Sequence, residues 1–439
     1  MSTLIRTARN GQTTKDMEIV ASNEQHDIEF IKRGIKKGRI IIPKSNLREL
    51  KTPIGIGKGL LVKINANIGS SKTVCNIEQE VAKAKIAVKY GADTVMDLST
   101  GVTESDVISI RKKILNEVNV PLGTVPIYQT ALRALENKGA IIHMDEDDMF
   151  NVIEEQAKEG VDFFTIHVGV TQEIVNYLID HPRLMGVVSR GGTFLASWIL
   201  ENEMENPFNS RYDYLLEMAH EYDFTLSLGD GMRPGSIFDS TDYAQVQELL
   251  EISKLVKRAW AADVQVMVEG PGHIPANEVE RNIKMQKSLC DEAPFYVLGP
   301  LVTDIAPGYD DIVAAIGGVL AGLAGADYLC YVTPSEHLGL PTKEDVKRGV
   351  ISSKIAAHAV NIARYGKRVS NWDYKMDVAR KDLNWEGMIE QAIDPELARE
   401  IHYRNGCTEE DNEVCSMCGE FCAIKLLKDI LESKKNSNL

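Results

Sequence analysis

One unit recurs along this chain from about residue 56 to residue 335: a short apolar run rich in β-branched residues, a polar or glycine-rich end, then a helical stretch. The runs read LLVKINANIG (60–69), TVMDLST (94–100), VPLGTVPI (120–127), FFTIHVG (163–169), MGVVSRGG (185–192), FTLSLGDG (224–231), VQVMVEGPG (264–272), FYVLGPLVT (295–303) and DYLCYVTP (327–334). Continuous apolar strands alternating with helices belong to a parallel sheet covered on both faces. Eight or nine such units in this length fit an α/β fold closed into a (β/α)8 barrel better than an open sheet. Nine candidates for eight places make one surplus or an extra strand.

Around a barrel at 56–340 the expected organisation has three further parts. Residues 1–55 are a polar helical segment ending at the turn signal Lys51-Thr52-Pro53-Ile54-Gly55. Residues 341–406 carry apolar positions at helical spacing and read as a small helical domain. Residues 407–439 form a tail with an acidic linker, three cysteines and a short amphipathic helix, AIKLLKDILES.

The polar residues sit where the strands stop: Asn65 and Asn67, Asp97 and Ser99, His167, Ser189 and Arg190, Asp230 and Arg233, Glu269 and His273, Glu336 and His337. Strand C-termini of such a barrel converge on one mouth, so these groups are expected around one pocket. Polar loop starts are common everywhere, but that explains one or two strands, not seven.

Composition narrows the function classes. The chain has 439 residues, 44% hydrophobic and 26% charged, which is ordinary for a globular enzyme. Its 49 basic against 64 acidic residues give a net charge of −15, which argues against a phosphate-backbone partner. The first 20 residues contain no apolar core of signal-peptide length, and no run approaches the ~18 apolar residues of a spanning helix. No nucleic acid, no membrane and a cytoplasmic location are the expectations.

Three of the seven cysteines, Cys415, Cys418 and Cys422, fall within VCSMCGEFCA beside the tail. A core does not ask for that. Cys75, Cys290, Cys330 and Cys407 read as buried or incidental thiols in a reducing compartment, with Cys407 a spare ligand at most. A structural zinc site wants four ligands, commonly as two spaced pairs; no second pair is present, and His402 lies thirteen residues upstream of Cys415. A redox CxxC pair leaves Cys422 unexplained. A [4Fe–4S] cluster on three thiolates leaves one iron open, as a radical S-adenosylmethionine (SAM) enzyme requires: the amino and carboxylate groups of SAM chelate that iron, and one electron cleaves the sulfonium to a 5′-deoxyadenosyl radical. Spacing alone leaves zinc and iron–sulfur nearly level; the open fourth position and the enzyme-like barrel favour the cluster. A zinc-dependent non-radical lyase or aldolase and a non-enzymatic iron–sulfur sensor stand as alternatives from other classes.

KINANIG, VMDLSTG, GTVPIYQ, FFTIHVGV, VVSRGG, SLGDGMRPGSI, QVMVEGPGHIP, APFYVLGPLVTDIAPGYD, CYVTPSEHLGLP and CSMCGEFC follow one another in this order. In these motifs, from about residue 4 to 425, the chain resembles the thiamine pyrimidine synthase (phosphomethylpyrimidine synthase) family. The resemblance implies a (β/α)8 barrel, a helical C-terminal domain, and a homodimer in which one subunit's cluster tail reaches its partner's pocket. It implies 5-aminoimidazole ribotide (AIR) as substrate, SAM and a [4Fe–4S] cluster on Cys415, Cys418 and Cys422 as cofactors, and a small electron donor such as flavodoxin or ferredoxin. By motif, the AIR-binding positions are Asn67, Met96, Tyr128, His167, Ser189, Arg190, Gly191, Asp230, Gly231, Met232, Arg233, Glu269 and Tyr296. His273 and His337 are the expected ligands of a second metal, Zn2+ or another divalent ion, near the SAM site.

The residues carry their own readings. Ser189-Arg190-Gly191-Gly192 offers a hydroxyl, a cation and open backbone N–H groups to a phosphate, though a Gly-Gly pair is more often just a turn. Asp230 and Arg233 flank a glycine before Pro234; a carboxylate there accepts from hydroxyls or an amine, or simply pairs with the arginine. A lone histidine is more often a satisfied core group than a ligand. Glu269 reads as a catalytic proton acceptor or a partner for His273.

Three positions depart from the family: Asp311 replaces the histidine of its GYDH motif, Val168 stands in the TIHAG or TIHCG stretch, and Asp377 in KMSxAR. A carboxylate for an imidazole changes charge and proton-donor ability, so Asp311 reads as a second catalytic residue and as a reason to suspect a changed product. On that ground the expectation leans to the paralogous reaction, the formation of 5-hydroxybenzimidazole for the cobamide lower ligand, with the thiamine pyrimidine as the alternative.

Overall fold

The computed structural model describes residues 2–404 and 414–437. The chain divides into two compact units, Met1–Val360 and Asn361–Leu439.

The first unit is built on eight parallel strands: β1 (Lys63–Ile68), β2 (Thr94–Asp97), β3 (Leu122–Thr124), β4 (Phe163–Ile166), β5 (Thr225–Leu228), β6 (Val266–Gly270), β7 (Phe295–Leu298) and β8 (Tyr328–Cys330). They pair in sequence order, and β8 closes on β1 with Cys330 opposite Asn65. Almost every strand residue is buried, because helices cover the outer face and side chains fill the inside. MGVVSRGG is the surplus ninth candidate. It is a loop running into the helix Arg190–Asn202, where Ser189 caps the first turn by accepting from the N–H of Gly192 at 3.2 Å.

The inward residues of β1 set the layers of the interior. Lys63, at the closed end, donates to Glu24 at 2.6 Å and to the carbonyl of Leu61 at 2.8 Å. Glu24 ends the helix Lys15–Asn23, so this buried ion pair fixes the N-terminal helices beneath the barrel. Ile5, Met17, Val20, Ile31 and Ile35 form their separate apolar core. A two-residue antiparallel ribbon, Ile40–Ile41 with Ile56–Gly57, leads from these helices to β1. One layer up, the side-chain amide of Asn65 donates to Tyr296 Oη and Asn67 Oδ1, both at 2.7 Å, and Thr94 donates to Asn65 Oδ1 at 2.7 Å. This satisfied polar layer is the floor of the mouth.

In the second unit, Trp385 stacks on His402 with ring centres 4.4 Å apart, and Trp372 donates to the carbonyl of Gln391 at 2.7 Å. The division between the units falls within the long helix Lys343–Tyr365. Among the described residues no helix is long and apolar enough to cross a membrane.

Candidate functional site

Two cavities open at the C-terminal ends of the strands. The smaller, about 80 Å³, is lined by Asn67, Met96, Tyr128, His167, Asp230, Arg233, Glu269 and Tyr296 together with Thr165, Cys330 and apolar neighbours. These positions lie on or just after all eight strands and meet only because the barrel closes. The wider cavity, about 390 Å³, shares Asn67, Tyr128 and Arg233 and extends over Ser70, Lys83, Arg190, Thr333, Glu336 and His337.

Electrostatics in the smaller cavity are set by burial. His167 keeps Nε2 near Ser189 Oγ at 3.1 Å, while its Nδ1 is buried without a hydrogen-bond partner among the described residues. Burial, with the Arg233 guanidinium nearby, lowers its pKa to about 3, so the ring is neutral at physiological pH. Asp230 Oδ1 accepts from Arg233 at 3.2 Å; its Oδ2 has no partner among the described residues, and burial pushes its pKa up to about 8. Glu269 Oε1 accepts from Thr165 at 2.5 Å and Ser227 at 2.6 Å, and burial raises its pKa against those bonds. These unfilled buried polar atoms point to a polar ligand.

The remaining predicted positions shape the cavities rather than line the smaller one. Arg190 faces the wider cavity and lies over the Tyr128 ring, 5.0 Å from its centre. A Cβ on Gly191 would stand 2.2 Å from His167 Cε1, and one on Gly192 would stand 2.3 Å from the carbonyl oxygen of Gly231. Glycines are therefore what let the Ser189–Gly192 turn close over the Asp230–Arg233 loop. Glu248, absent from the sequence reading, holds that loop from behind by accepting from the N–H of Met232 at 2.8 Å. It is buried in the helix Tyr243–Ala261, and no sequence spacing marks it. Asp97 and Ser99 line neither cavity; they brace the first loops, Ser99 donating its N–H to Asp97 at 2.9 Å and accepting from Ser70 at 3.0 Å.

His273 and His337 are brought together, with ring centres 5.1 Å apart. A ring centre lies about 3.2 Å from an ion held by one of its nitrogens, so rings sharing an ion have centres within about 6.5 Å. The pair passes that test, and neither ring leans on Glu269: Nδ1 of His273 meets Asp304 at 2.7 Å and Nδ1 of His337 meets Asp310 at 3.3 Å.

Asp311 does not reach the mouth. It sits in the first turn of the helix Asp310–Ala324, buried, where its Oδ2 accepts from Arg348 at 2.9 Å and Ser352 at 2.8 Å. Successive helical residues diverge by about 100°, so Asp310 faces a site histidine and Asp311 faces the neighbouring helix. Asp311 lines neither cavity, and the proton-transfer role read from the sequence falls with that placement.

In the second unit, Cys415, Cys418 and Cys422 are free thiols wound on one tight turn: the N–H of Gly419 donates to the carbonyl of Cys415 at 3.1 Å, and that of Cys422 to the carbonyl of Gly419 at 3.2 Å. Backbone N–H groups of Cys418 and Met417 point at the Cys415 sulfur and lower its pKa, favouring a thiolate. Among the described residues no three Cys, His, Asp or Glu side chains gather around a single ion. A cluster does not need that, since each thiolate binds a different iron. Cys407 lies outside the described residues.

The comparisons with known proteins agree across the whole length. The radical SAM ThiC family matches residues 3–429. The chain is 54% identical over 429 residues to phosphomethylpyrimidine synthase of Thermoanaerobacter sp. strain X514, covering 98% of each. It is 53% identical over 423 residues to that of Methanocaldococcus jannaschii, covering 96% of this chain and 98% of the relative. Among solved structures, dihydropteroate synthase from Thermus thermophilus aligns over 70% of this chain and 94% of its own at 13% identity, with a TM-score of 0.39, too slight a likeness to argue from. The lean to 5-hydroxybenzimidazole formation is overturned: relatives sharing more than half their residues over nearly full length bear the name of the thiamine-pyrimidine enzyme, and Asp311, which carried the lean, stands away from both cavities. Membership implies a [4Fe–4S] cluster and SAM. This chain belongs to the radical SAM ThiC family.

Proposed function

We propose that this chain rearranges AIR, using SAM and a [4Fe–4S] cluster, into 4-amino-5-hydroxymethyl-2-methylpyrimidine phosphate, the activity by which its relatives are named. The observation that carries it is the convergence of Asn67, Met96, Tyr128, His167, Asp230, Arg233, Glu269 and Tyr296 in one cavity whose buried polar atoms are left unsatisfied.

The residues divide the ligand between them. Arg190, with the N–H groups opening the helix Arg190–Asn202, takes the ribotide phosphate, charge and helix dipole acting together. Neutral His167 offers a bare Nδ1 to a donor on the imidazole or its amine, and Asn67 supplies both a donor and an acceptor. Asp230, kept protonated near neutral pH by burial, donates to a ribose oxygen, while Glu269 accepts. Tyr128 and Tyr296 exclude water around the ring. The wider cavity receives SAM, with the buried hydroxyls of Ser70 and Thr333 unpaired among the described residues. His273 and His337 hold a divalent ion, Zn2+ by their donor type, beside it. Cys415, Cys418 and Cys422 would hold the [4Fe–4S] cluster, which would supply the electron for SAM cleavage and draw it from a small donor such as flavodoxin or ferredoxin. The reading includes a homodimer with exchanged cluster tails.

Mass spectrometry after anaerobic incubation with AIR, SAM and a reductant tests the reading. The pyrimidine phosphate is the expected main product, alongside 5′-deoxyadenosine. A different main product, or no consumption of AIR by cluster-loaded protein, overturns it.

A further inference from the structure

We propose that Asp304 and Asp310 are the positioning residues of the histidine pair: each fixes the tautomer and rotation of one ring, so that His273 and His337 present Nε2 lone pairs to one divalent cation. The inference rests on reading that pair as a metal site.

The geometry is specific. A carboxylate only accepts, so the hydrogen on each histidine lies on Nδ1 and the lone pair on Nε2. Asp304 Oδ1 stands 2.7 Å from His273 Nδ1, and Asp310 Oδ2 stands 3.3 Å from His337 Nδ1. Each carboxylate is itself held. The other oxygen of Asp304 accepts from the N–H of Ile237 at 2.9 Å. Asp310 is buried at the start of the helix Asp310–Ala324, where the helix dipole favours a negative charge.

The backbone adds to this. Leu301 donates to the carbonyl of Gly272 at 2.8 Å and accepts from the N–H of Ile274 at 3.0 Å, clamping the backbone on either side of His273. His337 takes a left-handed φ of 62°, a strained choice for a side chain with a Cβ, which persists only where the surroundings impose it. Both carboxylates follow β7, Asp304 in the loop and Asp310 at the start of the helix that the loop leads into, while the two histidines follow β6 and β8. The segment after β7 therefore sets both ligands from between them.

Cobalt(II) titration into metal-stripped full-length protein, followed by visible absorption, tests this without recourse to turnover. D304A and D310A are expected to weaken Co2+ binding about 10- to 100-fold, and D304N and D310N less, since asparagine keeps a neutral acceptor. H273A and H337A are the controls and should lose the site. Wild-type affinity in both aspartate-to-alanine variants overturns the proposal while leaving the histidine site standing. Wild-type affinity in the histidine variants as well, or no Co2+ uptake by the unmodified chain, overturns both. If an alanine variant is recovered unfolded, the asparagine pair decides: weakened binding supports the proposal and wild-type affinity in both refutes it. Product formation by the unmodified protein is a separate measurement, so failure here and failure of the AIR reading are distinguishable.

Discussion

His167 shows how much of this site depends on one proton staying away. Its ring is buried between Ser189 and the Cα of Gly191, with Arg233 close enough to oppose a second positive charge. A folded-state pKa of about 3 against an ordinary 6.5 means that the unfolded chain binds a proton first as pH falls. In that window the unfolded state carries more protons, so the residue's contribution is unfavourable below pH 6.5 and grows until about pH 3. The slope for one proton is about 1.4 kcal/mol per pH unit at most. Denaturant unfolding of His167→Gln should therefore fall less steeply than wild type between pH 6.5 and pH 4, whatever the substitution costs at neutral pH. Parallel pH profiles for the two proteins would show that the ring takes up its proton in the fold as readily as in the unfolded chain, and would refute the lowered pKa.

At the scale of elements, the site is two backbone segments pressed together: the first turn of the helix Arg190–Asn202 and the loop Asp230–Arg233. Gly192→Ala places a methyl group 2.3 Å from the Gly231 carbonyl oxygen, and rigid backbone must give way. Overpacking of this kind costs about 1–3 kcal/mol, and a cost of that size in the turn proposed to bind the phosphate should raise KM for AIR about fivefold or more. A folded variant with unchanged KM would show that the turn does not position the substrate. This contact also marks where sequence reading reached its limit. The eight barrel strands were legible because a strand buried on both faces must be continuously apolar, and the mouth residues because strand ends converge. MGVVSRGG reads as a strand because Val187 and Val188 are β-branched, whereas Ser189 capping and glycine packing make its second half a helix start. Asp304, Asp310 and Glu248 were not legible: their work depends on how loops and an outer helix fold back over the mouth, and nothing in their spacing records that. The Asp311 misreading has the same origin, since sequence gives a helix's first turn but not which of two adjacent carboxylates faces the site.

At the scale of the whole molecule, the residues proposed for substrate and metal lie in the unit Met1–Val360, and the cysteines proposed to hold the cluster lie in Asn361–Leu439. Cys415→Ala, Cys418→Ala or Cys422→Ala should each abolish 5′-deoxyadenosine formation while thermal unfolding of the barrel unit stays unchanged, because all three are outside its core. Full activity in any one would remove that cysteine from the ligand set. The proposed tail exchange makes a sharper demand on the pair of units. Cys418→Ala spoils the tail and leaves the cavity intact; Glu269→Gln spoils the cavity and leaves the tail intact. Each homodimer is inactive alone. After subunits are mixed and allowed to re-associate, half the dimers are heterodimers, and with exchanged tails each has one cavity of wild-type residues served by one intact tail. Activity should then return to about a quarter of the wild-type level. Without exchange, every intact cavity in the mixture stays paired with its own mutated tail, and no activity returns; that outcome, in samples where heterodimers are verified by native mass spectrometry, refutes exchange and leaves each chain to serve its own site.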